Sequence, residues 1–358
     1  MTRILALVDL RDLPVEGPGA TDAAAPAGSS GRPPEVPAAV DWAVAWAAYR
    51  DAEVEFLALR PHTPLALTDS PAYTTASPVA LEQAVQQQAR RALAAARQVA
   101  EAAGVMSHSR TAPDDDAVRA VLEAAAARRC DLIVVASDGR NAVMRLLTGS
   151  AIPGLVTTSP HPVLVVPASA PPPPRLHPAS DGAAVRAAAP VLAVLEDRPG
   201  ALSAVQRAIA LARLLRSELC IVQPVPRELP MALDGSAIVP LADERWSEAL
   251  RERAAARLAE AVQLAREAGV VARTLRIDGA FTGHALAELA VRLQSVLVVV
   301  ATEGHNAFMR MVVGSVIPGL ITHANVPVLI VRDTPPGAEL SNGRRPGAEG
   351  SEAYTPRA

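Results

Sequence analysis

The chain contains no lysine; all 34 of its basic residues are arginine. That excludes a phosphate-binding P-loop lysine, a Schiff-base lysine and a Ser-Lys dyad. Aromatic residues are scarce, three each of Trp, Tyr and Phe, although half of the 358 residues are apolar, so the core must be aliphatic. Cysteine is limited to Cys130 and Cys220, too few for a disulfide framework or a cysteine-based zinc site. Both lie beside apolar runs and read as buried, inert thiols, which suits a reducing, cytoplasmic compartment. No apolar run reaches the ~18 residues of a membrane span, and Asp9 and Arg11 break the run Ile4–Val8 before it resembles a signal-peptide core. A net charge of −3 gives no electrostatic case for nucleic acid or an anionic membrane as partner.

What the chain does have is an internal repeat. Leu132–Pro167 (LIVVASDGRNAVMRLLTGSAIPGLVTTSPHPVLVVP) aligns without gaps on Leu297–Arg332 (LVVVATEGHNAFMRMVVGSVIPGLITHANVPVLIVR), at an offset of 165 residues and with 20 of 36 positions identical. The chain is therefore a tandem duplication. Earlier segments correspond in the same order: Ile4–Asp9 with Val191–Glu196, each a short apolar run closed by a carboxylate. Helical patterns follow at Ala38–Tyr49 and Ala201–Leu215, strands near Val54–Leu59 and Leu219–Val225, and long helices at Leu81–Ala103 and Trp246–Ala268. Gly104 and Gly269 stand where a helix C-cap favours glycine. Continuous apolar strands alternating with helices predict right-handed βαβ crossovers, hence two tandem α/β domains, each a doubly wound, five-stranded parallel sheet.

The expected organisation is a first domain over 1–167 carrying an Ala/Gly/Pro-rich insertion at 10–37, a linker at 168–188, a second domain over 189–333 and a polar tail at 334–358. The run Pro171–Pro174 makes the linker partly stiff, and none of these segments needs a role beyond spacing. Each half ends in a short aliphatic strand, Val163–Val166 and Val328–Val331. An uncovered strand of that kind is a pairing hazard, so the two are expected to pair as an intramolecular pseudo-dimer, with a homodimer as the further option.

The chemistry is expected in the repeated loop. Its pattern is Ala136-x2-Gly139-x9-Gly149-Ser150 in the first half and Ala301-x2-Gly304-x9-Gly314-Ser315 in the second. Each loop leaves the C-terminal end of a buried strand and closes with Gly-Ser ahead of a helix, the place where doubly wound sheets bind ligands. Glycine lets main-chain N–H groups approach phosphate oxygens, and the serine hydroxyl sits at a helix N-terminus whose dipole favours anions. Read without a ligand, the same residues make a turn and an ordinary N-cap. The histidines show no metal-ligand spacing, and Asp114-Asp115-Asp116 reads as a helix N-terminal charge cluster.

Gly-x2-Gly-x9-Gly-Ser after an apolar strand, followed by a Pro-Val-Leu-Val-Val strand, resembles the universal stress protein family, and the resemblance covers both halves. It implies an adenine-nucleotide-binding α/β fold, dimerisation through the last strand, ATP (with Mg²⁺ as its companion) in one subgroup, and a role as a stress-response regulator. It implies no defined reaction and no catalytic residues. Carried over by position, the nucleotide-binding set is Asp9, Ala136, Gly139, Arg140, Gly149, Ser150 and Ala151 in the first half. In the second half it is Glu196, Ala301, Gly304, His305, Gly314, Ser315 and Val316. Ala136 and Ala301 replace the first glycine of the family loop, and Glu196 is one methylene longer than Asp9. Arg140 adds a charge-assisted phosphate contact, which His305 supplies only when protonated. The first half is thus the better-equipped site. The competing expectation is a scaffold of the same fold that binds no nucleotide and acts through its last strands. An adenylating enzyme is disfavoured, because the loop has no lysine and no histidine pair to meet a reacting phosphate.

Overall fold

The structure, a computed structural model, describes residues 2–10, 36–60, 78–137, 151–174, 188–196, 200–225, 244–278, 282–302 and 316–332. The first half runs β1 (Arg3–Asp9), α1 (Ala38–Arg50), β2 (Glu53–Arg60), α2 (Pro78–Ala102), β3 (Ser107–Pro113), α3 (Ala117–Arg128), β4 (Leu132–Ser137), α4 (Ala151–Thr158) and β5 (Val163–Pro167). The second runs β6 (Ala188–Val194), α5 (Leu202–Leu215), β7 (Ser217–Val225), α6 (Glu244–Glu267), β8 (Ala272–Asp278), α7 (Gly283–Arg292), β9 (Leu297–Thr302), α8 (Val316–His323) and β10 (Val328–Arg332).

All ten strands form one sheet, ordered β3-β2-β1-β4-β5-β10-β9-β6-β7-β8. Within each half every pairing is parallel, and the halves meet at an antiparallel seam where Val328, Leu329 and Ile330 face Val165, Leu164 and Val163. β5 and β10 each have a strand neighbour on both sides, and nearly all of their residues are buried. The core is continuous across the seam. On one face α1, α2, α5 and α6 cover an aliphatic layer that includes Leu164, Val166, Leu329 and Val331. On the other, α3, α4, α7 and α8 cover Val163, Val165, Val328 and Ile330. Arg332 also donates to the carbonyl of Thr157 across the halves, at 3.1 Å.

Local chemistry explains the element ends. Asp116 caps α3 by accepting from the Arg119 N–H, and Thr282 caps α7 by accepting from Ala285. Gly104 and Gly269 follow α2 and α6 with φ of +68° and +72°, the left-handed cap that glycine adopts without a Cβ penalty.

Strands β2 and β7 begin earlier than their apolar runs suggest, and in β2 the reason is ion pairing. Glu53 and Glu55 are buried on β2: Arg3 Nε lies 2.8 Å from Glu53, and Arg128 Nε lies 3.2 Å from Glu55. Burial, with the Glu55 carboxylate adding to it, pushes the Cys130 thiol up to about 11. The matching positions of the second half hold Cys220 and Leu293, which with Pro190, Glu218, Arg273 and neighbouring residues line a cavity of about 660 Å³. The first half sets the Glu55–Arg128 pair here, whereas the second has Cys220 and Leu293 and leaves a cavity flanked by the Arg273–Glu218 pair.

A stability cycle follows. Arg128→Leu strands the Glu55 carboxylate, whose Oε1 already lacks a hydrogen-bond partner among the described residues. The expected loss in urea unfolding is about 2 kcal/mol, less than for a fully buried pair because the guanidinium is 41% exposed. Glu55→Cys/Arg128→Leu installs the second half's solution and is expected to recover more than half of that loss. Simple additivity of the two single variants would contradict the pairing.

Two of the spacer segments are better anchored than their composition suggests. Leu10 and Val36, at the ends of the insertion, are buried in the core. The start of the linker is docked: Ala170 is buried, and α1 bonds to the prolines that follow.

Candidate functional site

In each half the chain builds β1-β2-β3 (or β6-β7-β8) to one side and β4-β5 (or β9-β10) to the other. The order therefore reverses between β1 and β4, and between β6 and β9, the topological switch point at which such sheets open a crevice. The hydrogen-bond register shows the opening. β1 pairs with β4 only through Ala6 and Val134, yet β1 continues to Asp9 and β4 to Ser137. β6 likewise pairs with β9 only through Ala193 and Val299, while β9 runs on to Thr302. The strands splay before they end, and the repeated loops start at this splayed edge.

Asp9 is the last residue of β1 and lies in register with Leu59 of β2. Its counterpart Glu196 lies two residues beyond the end of β6, and Leu195 still donates to the Val222 carbonyl at 2.9 Å. The two acidic residues thus stand at different points relative to their strands, a difference beyond the extra methylene. Ala136 and Ala301 lie in the outer part of β4 and β9, in register with Val166 and Val331. Ala151 and Val316 open α4 and α8. Gly139, Arg140, Gly149, Ser150, Gly304, His305, Gly314 and Ser315 lie outside the described residues, in 138–150 and 303–315. Of each predicted set, the described residues are therefore the acidic residue at or just past the strand, the alanine before the loop and the first residue of the helix after it.

Sequence reasoning passed over Ser137 and Thr302. Each is the last residue of its strand and is buried, and the Thr302 hydroxyl has no hydrogen-bond partner among the described residues. A buried, unsatisfied hydroxyl is costly unless something bonds to it. The signal was present: a hydroxyl at the same place in both repeats, one residue ahead of an acidic position. Among the described residues no group of three His, Cys, Asp or Glu is placed to hold a metal ion. No described helix is long and apolar enough to cross a membrane.

The universal stress protein family profile matches twice, over residues 31–167 and 189–332. The chain belongs to the universal stress protein family. Among solved structures, a universal stress protein from Archaeoglobus fulgidus DSM 4304 aligns at 16% identity and TM-score 0.57, covering 92% of this chain and 96% of its own. A putative universal stress protein from Pseudomonas aeruginosa UCBPP-PA14 aligns at 14% identity and TM-score 0.49, covering 92% of each chain. A universal stress protein solved in complex with cAMP aligns at 24% identity and TM-score 0.31, covering 41% of this chain and 99% of its own. No curated protein matches this chain. This universal stress protein thus carries the family fold twice in one chain, with two switch-point crevices in a single sheet.

Proposed function

We propose that this tandem universal stress protein binds an adenine nucleotide, ATP foremost, at the splayed ends of β1/β4 and β6/β9. On this reading it acts as a cytoplasmic stress-response regulator through occupancy and not through turnover. The carrying observation is the paired crevice: in each half the switch-point strands part before they end, one strand leading into an acidic residue, Asp9 or Glu196, and the other ending in a buried hydroxyl residue, Ser137 or Thr302. An unsatisfied hydroxyl such as that of Thr302 is the kind of group a bound ligand would engage. Asp9 and Glu196 would orient the nucleoside end. The loops 138–150 and 303–315 would present their glycine amides and Ser150 or Ser315 to the phosphates, with Mg²⁺ travelling on the phosphates. The first half is the stronger site, because Asp9 is the last residue of its strand and Arg140 adds a cation. Two free, buried thiols support the reducing compartment.

The test is direct. Protein purified without added nucleotide is denatured, and the supernatant is resolved by anion exchange. The expected result is adenine nucleotide, or else a saturable thermal shift with ATP and Mg²⁺ equivalent to about 2.7 kcal/mol at a hundred times Kd. Gly149→Val should abolish most of this binding and Gly314→Val a smaller share. An empty protein with a flat melting temperature at millimolar ATP would favour the scaffold reading. For that reading the seam matters: β5 and β10 are already flanked on both sides, so the internal pair would stand in for a dimer between separate chains.

A further inference from the structure

Three of the nine aromatic side chains in the protein lie on α1: Trp42, Trp46 and Tyr49. Trp42 and Tyr49 are seven residues apart, two turns of helix, and so share a face. Each donates a hydrogen bond to a proline carbonyl of the segment leaving β5. The Trp42 indole N–H bonds to the Pro171 carbonyl at 3.0 Å, and the Tyr49 hydroxyl bonds to that of Pro174. The four consecutive prolines lie between these two anchors.

The two periodicities match. A residue before proline is confined to extended or polyproline II backbone, and proline fixes its own φ, so Pro171–Pro173 have little choice but that helix. Polyproline II has three residues per turn, which turns the carbonyls of Pro171 and Pro174 to the same side about 9 Å apart. Seven residues of α-helix advance about 10.5 Å. One turn of the proline helix therefore spans two turns of α1, running parallel to it, with a donor meeting a carbonyl at each end. Pro173 and Pro174 are half-buried, whereas Pro171 and Pro172 are exposed. Aromatic donors set against a preformed polyproline helix are the general physical basis of proline-rich peptide recognition.

The duplication supplies an internal control. At the repeat offset of 165 residues, the positions of Trp42, Trp46 and Tyr49 hold Arg207, Leu211 and Leu214, and β10 is followed by only Pro335-Pro336. The half with the proline run has the aromatic face, and the half without that run lacks both. We infer that α1 is a polyproline-recognition surface, covered in the resting chain by its own Pro171–Pro174 strap and open to a proline-rich segment of another protein when the strap lifts.

In the test, the four prolines of the full-length protein are replaced (P171G/P172S/P173G/P174S), and a synthetic peptide of residues 168–175, ASAPPPPR, is added back. Solvent exchange of the Trp42 indole N–H, assigned with Trp42→Phe, is expected to speed at least tenfold in the replaced protein. The peptide should bind it saturably and slow the exchange again, whereas ASAGSGSR should not. Wild-type protein should ignore the peptide, because the tethered strap competes at millimolar effective concentration. An indole exchange rate equal to wild type, or no peptide binding at millimolar concentration, overturns the proposal. If the replaced chain does not fold, Trp42→Phe/Tyr49→Phe carries the test, since it keeps an aromatic ring at each position, a smaller one at 42, and deletes both donors, with Trp46→Phe as the control for the lost ring volume. The Ala170 N–H, bonded to Pro167 at 2.9 Å, should then exchange at least tenfold faster, and an unchanged rate counts against the strap.

Discussion

Leu164→Asp is expected to remove about 4 kcal/mol or more of stability, and Leu329→Arg a comparable amount, because each places a charge in a fully apolar layer. Leu164 and Leu329 are register partners across the antiparallel seam, and both are buried beneath α1 and α5. Directly opposed residues of an antiparallel pair have their Cβ atoms about 4.5–5.5 Å apart, close enough for the introduced charges to meet. The double variant Leu164→Asp/Leu329→Arg should therefore be more stable than the sum of the singles predicts, by about 1–3 kcal/mol in urea unfolding. Leu57→Asp, equally buried but on β2 and far from the seam, gives the control: combined with Leu329→Arg its effects should simply add. Strict additivity for Leu164 and Leu329 would mean that β5 and β10 do not face each other in solution. The result also bears on function, since the seam is what places the two candidate crevices in one sheet.

How much of this was legible beforehand depended on whether the signal was local. The repeat, the apolar runs and the glycines after α2 and α6 are local, and they point to ten strands in two doubly wound five-stranded units, which the structure joins into one sheet. Helix ends without glycine were harder to read. Asp51, Arg129, Arg216 and Gln294 all adopt positive φ at or just past a helix end, a conformation that costs an L-residue energy and leaves no compositional mark. The apolar runs place the starts of β2 and β7 too late, because Glu53 and Glu218 look like surface residues. Glu53 is buried because Arg3, fifty residues earlier, reaches it, and no window of sequence contains both. The strap was hidden for the same reason, its donors lying 125 and 129 residues from their acceptors. At the candidate site the loop residues were read from spacing, whereas Ser137 and Thr302 carry meaning only once the strands are seen to part beside them.

Gly283→Ala should cost more than a single methyl ordinarily does, and the cost should be specific to the second half. Gly283 opens α7 against α8, and a Cβ there would fall on the Val316 carbonyl oxygen, the Leu320 nitrogen and the Gly319 carbonyl carbon, all of them backbone. A Cβ on Gly319 would in turn stand 3.2 Å from the Gly283 Cα. The first-half counterparts are Val118 and Gly154, so α3 meets α4 through a side chain where α7 meets α8 through main chain. Alanine gains up to about 1 kcal/mol in helix propensity, but overpacking costs about 1–3 kcal/mol where side chains can give, and backbone gives less. The steric term wins, and a net loss of about 2 kcal/mol or more is expected in urea unfolding. Gly154→Ala meets only the Val118 side chain, which can change rotamer, so its cost should stay below about 1.5 kcal/mol. Because α8 begins directly after Ser315, a displaced α8 shifts the end of the second loop. Nucleotide retained through that half should fall at least tenfold in Gly283→Ala while binding through the first half is unchanged. Separate titrations in the Gly149→Val and Gly314→Val backgrounds distinguish the two. Equal losses in both halves would mean that α8 does not position the loop.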